Sequence, residues 1–415
     1  MESEFPDDRT LNVAYVVPMG GGLHSFVFRE VRELQALGVR VHLFPTKVTQ
    51  GPYWPRPDWP VHTASPFQAA ISHVRVFFRD PVSYLSAIRE AFSYGALLDF
   101  ILAGFFSDRI ETLGLDLIHA HFGDHKFFIA HLCGHLTGRP VTVTVHAYEL
   151  YNNPNPRLFR HALKSAAAVV TVAQHNRAML ASEYAVPLAK IKVIPLFADF
   201  QRESNRSAHQ NGKIVVLSVA RLVEKKGHRT LVEAMARLPR EYEAWIVGRG
   251  PLDVGRIARA AGVKDRVHVL GSISDQDLQE AYRAATIFCL PSETTREGDR
   301  EGIPVALMEA MAHGLPVVTT RHAGIPELVE DVLVDEGDPL RVAEALRYLG
   351  ENPGLRASMG ERNRKIVSSR FSRRNVLLLR VLFERIIAGW NPSKMSSSEE
   401  SVQMSTRQRD RVELL

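Results

Sequence analysis

The chain has 415 residues, 45% hydrophobic and 23% charged, well past the roughly 250–300 residues at which one core stops growing, so two or three domains are expected. Its 51 Lys and Arg against 46 Asp and Glu leave a net charge of only +5, too slight for a dedicated nucleic-acid binder, and that partner class is set aside. Cys133 and Cys289 lie far apart in apolar segments, which argues against a disulfide framework and fits a reducing, cytoplasmic setting.

From Met1 to Thr10 four acidic residues stand where a secretory signal needs a basic and then an apolar region, so no export is expected. Asn12–Val17, a turn at Gly20–Gly22, a helical stretch His24–Leu37 and the apolar run Val39–Phe44 read as strand, helix, strand. Gly51–Pro60, with four prolines and two tryptophans, reads as a loop ahead of an aromatic-rich helical region, Ala69–Leu113. Its most apolar part, Ala91–Ser107, contains Asp99 and is shorter than the roughly 20 residues of a spanning helix. Further strands are predicted at Asp116–Phe122, Val141–Tyr148, Ala167–Ala173 and Lys192–Leu196.

The same pattern restarts with Ile214–Ala220, a loop closed by Gly227, a helix over Arg229–Leu238 and a strand Ala244–Val247. Val267–Leu270, Thr286–Leu290, Pro316–Thr319 and Val332–Asp335 continue it. Alternating strands and helices imply α/β architecture with doubly wound parallel sheets. The expected division is a first α/β domain over 1–200, a polar linker over 201–212 and a second α/β domain over 213–370. An amphipathic helix over 371–390 would cross back to the first domain, and 391–415, serine-rich and nearly free of aromatics, is expected to be disordered.

Ligands of open parallel sheets gather outside the carboxyl ends of the strands, so residues just after each apolar run are the candidates. Arg221 closes the run Ile214–Ala220 and Lys226 follows in the loop to Gly227, two cations suited to a diphosphate or merely flanking a turn. In Asp299-Arg300-Glu301-Gly302-Ile303-Pro304-Val305-Ala306-Leu307-Met308-Glu309, Pro304 suits a helix start, whose free N–H groups would point out beside Glu301. Glu309, about one turn inside an apolar stretch, needs hydrogen-bond donors if it is buried and none if it faces solvent. His146 follows the run Val141–Val145, a placement shared by structural and functional histidines. Gly20-Gly21-Gly22 permits close backbone approach, but it is no GxGxxG fingerprint and lacks the later acidic residue, so a dinucleotide cofactor is not expected.

Arg221 with Lys226-Gly227, Gly248-Arg249-Gly250-Pro251, Leu270-Gly271, Leu290-Pro291-Ser292, and Glu301 seven residues before Glu309, in that order, resemble the retaining GT-B glycosyltransferases of family four. The run from Gly298 to Ala312, followed by Arg321-His322-Ala323-Gly324-Ile325-Pro326-Glu327, is similar to the colanic-acid-type exopolysaccharide branch. The resemblance extends from about residue 12 to 390 and is sharp in the second half.

It implies two Rossmann-like domains facing across a cleft and transfer of a sugar from a nucleotide-diphosphate donor to a saccharide or lipid-linked acceptor, with retention. No metal or other cofactor is implied beyond the donor as co-substrate. Arg221 and Lys226 would neutralise the diphosphate, Glu309 would hold the ribose, and Glu301 with Ile303 and Pro304 would meet donor sugar and phosphate. Gly248, Leu270 and Gly271 would line the nucleotide, His146 would approach the sugar, and Gly21 and Gly22 the phosphate and acceptor side. Pro195-Leu196-Phe197-Ala198-Asp199 departs from the family's usual Asn-Gly-Val-Asp there, and Glu149 stands where Asp is common.

Two other classes stay open at this point: a sugar-nucleotide epimerase on the same fold and a non-catalytic nucleotide-sugar-binding protein. His119, His121, His125, His131, Cys133 and His135 cluster, but their spacing matches no zinc pattern and they are read as structural. Arg157, Arg160, Lys164, Arg177, Lys190 and Lys192 against Glu183 form a basic face. With the aromatic helices it would rest on anionic lipid, giving peripheral contact at the cytoplasmic face of the membrane, or remain solvated.

Overall fold

A computed structural model describes residues 10–63, 65–197, 212–330 and 332–390. Most of the linker stretch 201–212, the tail 391–415, Ala198-Asp199 and nearly all of the acidic start lie outside the described residues. The chain divides into two units, one within Met1–Thr144, Asn155–Val169 and Leu377–Leu415, the other within Val145–Pro154 and Val170–Val376.

The elements begin with β1 (Leu11–Gly20), α1 (Ser25–Ala36) and β2 (Val39–Thr49). Pro18 sits where the β1 register shifts between Val17 and Met19, which carries the strand beyond the predicted Val17 to the first glycine. The helical region predicted over 69–113 is three helices, α2 (Pro66–Arg79), α3 (Pro81–Ser93) and α4 (Leu97–Thr112). Asp80 caps the Ser83 N–H just before Pro81, and Gly95 at φ 68° turns the chain into α4.

Next come β3 (Leu117–His121), α5 (His125–Thr137) and β4 (Val141–Val145). The strand predicted to reach Tyr148 stops at Val145, because Ala147 is right-handed helical and starts α6 (Tyr148–Tyr151). After it lie α7 (Pro156–Ser165), β5 (Ala168–Thr171), α8 (Gln174–Ser182) and β6 (Ile191–Val193), the last shorter than its predicted run. These six strands form one sheet in the order β2-β1-β3-β4-β5-β6.

The second sheet is built from β7 (Ile214–Val219), β8 (Tyr242–Val247), β9 (Val267–Gly271), β10 (Ile287–Leu290), β11 (Val317–Thr320) and β12 (Leu333–Val334). Its order is β12-β11-β10-β7-β8-β9, with every pairing parallel. Helices α9 (His228–Met235), α10 (Val254–Ala260), α11 (Asp275–Ala284), α12 (Val305–Ala312), α13 (Pro339–Glu351) and α14 (Pro353–Arg370) join or follow them. Val216, Ile246, Val267, Ile287, Cys289 and Val318 are buried with Leu231, Met235, Leu346 and Met359 from the helices, as parallel strands covered by helices require.

Both sheets are therefore doubly wound parallel sheets of the Rossmann kind, as the sequence led one to expect. Each has one switch point, β1 beside β3 in the first and β7 beside β10 in the second, where successive connections leave in opposite directions. The last helix, α15 (Arg373–Gly389), brings Phe383 against Tyr15 and His119, with ring centroids at 6.4 and 5.2 Å. Arg380 Nη1 donates to the Leu37 carbonyl at 2.6 Å and Trp390 Nε1 to that of Gly138 at 2.8 Å.

Candidate active site at the exits of β7 and β10

The loops leaving β7 and β10 meet at the switch point of the second sheet, and glycine makes the meeting possible. Gly227, at φ 65°, lies so near the Pro291 carbonyl oxygen that a Cβ would stand 1.8 Å from it. Gly248 and Gly250 press likewise on the carbonyls of Ala220 and Leu222, where a Cβ would fall within 1.9 and 2.2 Å. The Gly248 N–H donates to the Gly271 carbonyl at 2.8 Å, so the exits of β7, β8 and β9 form one rim. Leu270 is 42% exposed on that rim, an apolar surface open to a flat ligand.

Arg221 is exposed at the end of β7, and its carbonyl accepts from His228 Nε2 at 3.1 Å. Lys226 does not stand free beside it. Its ammonium lies 2.8 Å from Glu301 Oε2, while the neighbouring Lys225, buried, reaches Asp299 at 3.0 Å and Glu301 Oε1 at 3.4 Å. Burial alone would raise the Glu301 carboxyl, but Lys226 and Lys225 outweigh it and hold the group below the ordinary glutamate value. Glu301 is therefore an ionised carboxylate between two ammonium groups.

The backbone of Glu301 is held as firmly. Its N–H donates to His322 Nε2 at 2.8 Å, so the hydrogen of His322 sits on Nδ1 and points to Glu336 Oε1 at 2.7 Å. Glu336 also accepts from the Thr294 N–H at 2.7 Å; burial raises its carboxyl, and these two donors bring it below its usual value. Behind Glu301, Ile303 and Pro304 are buried and α12 starts with no side chain capping it, which leaves its positive end for a ligand. One turn inside, Glu309 Oε2 accepts from the Tyr282 hydroxyl at 3.1 Å, and Tyr282 stacks flat on His313 at 5.0 Å.

His146, half-buried after β4, belongs to the same unit as these groups. Its neighbour Ala147 lies 3.3 Å from the point where a Cβ on Gly302 would stand, and the Arg300 guanidinium covers the Tyr151 ring at 5.6 Å. His146 and Glu301 are thus carried by segments in contact. In the first unit, by itself, Gly21 and Gly22 have φ of 88° and 79°. Their N–H groups both turn to the Thr49 carbonyl, at 3.2 and 2.9 Å.

Sequence reading missed Lys225, His322 and Glu336. Lys225 is adjacent to a chosen lysine, and His322 lies in a quoted run, yet nothing in either spelling says which side chain turns inward.

Two family models match in tandem, "Glycosyltransferase Family 4" over residues 20–202 and "Glycosyl transferases group 1" over 199–366. The amylovoran biosynthesis glycosyltransferase AmsK of Erwinia amylovora is 36% identical over 245 residues, which are 54% of this chain and 56% of that protein. The putative colanic acid biosynthesis glycosyltransferase WcaL of Escherichia coli K12 is 33% identical over 247 residues, 56% of this chain and 60% of that one. The matched region thus spans little more than half the length of these relatives. Among solved structures, Anabaena Alr3699/HepE in complex with UDP and glucose has the same fold, with a TM-score of 0.68 at 18% identity, covering 90% of this chain and 99% of that one. The chain belongs to the glycosyltransferases of family four and group 1 that the two models describe.

Proposed function

We propose that the chain moves a sugar from a nucleotide-diphosphate donor to a saccharide or lipid-linked acceptor, retaining the anomeric configuration and using no metal. The observation that carries this is the cation pair at the exit of β7, Arg221 and Lys226, set against Glu301 beside the uncapped start of α12. Breaking the bond from the anomeric carbon to the phosphate oxygen places negative charge on the departing diphosphate and positive charge on the sugar. Lys226 and Arg221 neutralise the first, and the α12 N–H groups add to them without reorganisation. The leaving phosphate oxygen takes the acceptor's hydroxyl proton on the face from which it departs, so the new bond forms on that side.

Glu309 holds the ribose hydroxyls, Gly248, Leu270 and Gly271 line the base, and Glu301 and His146 position the sugar. Gly21 and Gly22 are assigned to the acceptor side of the first unit. The names of the relatives, amylovoran and colanic acid biosynthesis, favour an exopolysaccharide or other cell-surface glycan as the setting. UDP and glucose in the Anabaena structure put UDP-sugars first among donors to be tried.

The acceptor side meets an anionic membrane surface, which places the enzyme at the cytoplasmic face. No helix among the described residues is long and apolar enough to cross a membrane. Phe67, Phe78, Val82, Phe92 and Leu98 nevertheless stand exposed on α2, α3 and α4, with exposed Arg75, Arg79 and Arg89 on the same helices. Apolar side chains interleaved with arginines suit the headgroup boundary of anionic lipid better than water.

The test is a thermal-shift series with UDP-, GDP-, ADP- and dTDP-sugars in metal-free buffer, followed by NMR of the product anomer. A donor at 100 times its Kd should stabilise the protein by about 2.7 kcal/mol. Lys226→Ala should lose that shift and lower transfer by roughly 10²–10³-fold. Full activity in Lys226→Ala, or an inverted product, would overturn the assignment; turnover of the donor without acceptor would favour the epimerase.

A further inference from the structure

Three helices of the first unit converge on one carboxylate that the transfer reaction does not use. Glu90, near the end of α3, receives His131 Nε2 at 2.6 Å and His161 Nε2 at 3.0 Å on Oε1, and His135 Nδ1 at 2.9 Å on Oε2. His131 and His135 are four residues apart on α5 and so share a face, while His161 comes from α7. The ligand atoms of Glu90, His131 and His161 all lie within 4.8 Å of one another. Glu90, His131 and His135 are largely buried, and His161 is 41% exposed, which gives an entry path.

The far side of His131 is already fixed. Ser165 Oγ donates its one hydrogen to the Ala162 carbonyl at 3.0 Å, and it stands 2.9 Å from His131 Nδ1. With its hydrogen so placed, the hydroxyl accepts from Nδ1–H, which makes Nε2 the nitrogen that faces the carboxylate. Metal-bound histidines carry this kind of outer hydrogen bond on the nitrogen that does not ligate.

We propose that Glu90, His131, His135 and His161 are the four ligands of a structural zinc ion that ties α3, α5 and α7 together. One carboxylate and three imidazoles fill a tetrahedral shell, so the ion keeps no open position and takes no part in sugar transfer. With bonds of about 2.0–2.1 Å, neighbouring ligand atoms stand about 3.3 Å apart, so the contacts of Glu90 to the imidazoles open by about 0.3–0.7 Å, while His135, outside the three groups that already lie within 4.8 Å of one another, swings inward to complete the shell. The second histidine cluster, Glu30, His119 and His121, differs. Its His119 has both ring nitrogens on threonine hydroxyls, Thr142 at 2.8 Å and Thr144 at 3.1 Å, and is not counted as a site.

The test uses the full chain, dialysed first against micromolar zinc and then against metal-free buffer, with metal content measured by plasma emission. The expected result is about one zinc per chain, a melting temperature lowered by chelator, and, after cobalt exchange, the intense visible absorption of a tetrahedral site. His161→Gln and His135→Gln should lose the metal, the cobalt spectrum and the chelator effect. His161→Gln changes a half-exposed side chain and should leave the fold and the nucleotide-sugar thermal shift intact; His121→Gln should leave the metal in place. Failure to retain stoichiometric zinc, or zinc content unchanged in both His161→Gln and His135→Gln, would overturn the proposal.

Discussion

At the scale of single residues, the site depends on positions where no side chain can be added. Gly227 combines a left-handed φ of 65° with a Cβ position 1.8 Å from the Pro291 oxygen. Alanine there must move either the β7 exit or the β10 exit, and those loops carry Lys225 and Lys226 on one side and Asp299 and Glu301 on the other. Gly227→Ala is expected to cost roughly 2–4 kcal/mol in urea unfolding and to abolish the donor-dependent thermal shift. Gly354, in the first turn of α14 with open space around its Cα, is the control. Gly354→Ala should be neutral or stabilising by up to about 1 kcal/mol. Equal losses in the two variants would mean that the close approach at Pro291 does not hold the site.

At the scale of elements, α2, α3 and α4 carry two opposite demands. Their inner faces bury Ala69, Val76, Ala87, Ala91, Phe100 and Phe106, while Phe78 and Phe92 stand 77% and 74% exposed. Water does not favour large aromatic side chains held out in this way, whereas a headgroup boundary does. The protein is therefore expected to float with vesicles rich in anionic lipid and not with neutral ones. The Phe78→Glu, Phe92→Glu double variant should stay at the bottom of the gradient while keeping its donor thermal shift. Flotation unchanged by that variant would remove these helices as the contact. The basic segment 157–192 offers weaker support than its composition suggested, because the Arg157 guanidinium lies over Tyr94 at 5.7 Å and Lys190 is half-buried, with its pKa lowered by that burial.

At the scale of the whole molecule, buried neutral histidines set an acid limit. Burial, aided by Lys226 and opposed by the bond to the Arg221 carbonyl, lowers the His228 pKa from 6.5 to about 4. Its Nδ1 is buried without a hydrogen-bond partner, so a proton there would gain nothing in the folded state. Burial, with His42 and Arg109, likewise lowers His62 to about 4. Between those values and 6.5 the unfolded chain binds more protons, so stability is full above about pH 6.5 and falls as pH drops toward 4. His228 alone accounts for up to about 3 kcal/mol of that loss. Urea unfolding at pH 7.5 and pH 5 should show it, and a His228→Gln variant should show a shallower decline; a stability independent of pH in that range would refute the neutral assignment.

Strand existence and order of appearance were legible in the chain, because a parallel strand covered on both faces must be a short apolar run and each run is local. So were the glycines at strand exits and the helix start at Pro304, whose backbone demands are spelled by one or two residues. The candidates at the β7 exit and around α12 were found for the same reason. Boundaries such as Val145 and the breaks at Asp80 and Gly95 were not, since a cap or a turn competes with propensity within a few residues. What only the tertiary structure decided is which charges meet. Lys226 and Glu301 are 75 residues apart and pair because β10 lies beside β7; His322 takes the Glu301 N–H because β11 lies beside β10; and Glu90 gathers three histidines from two other helices. Local sequence determines a residue's type and its strand or helix, but a hydrogen bond or ion pair requires two groups within about 3 Å, and that distance is set by strand order and helix packing.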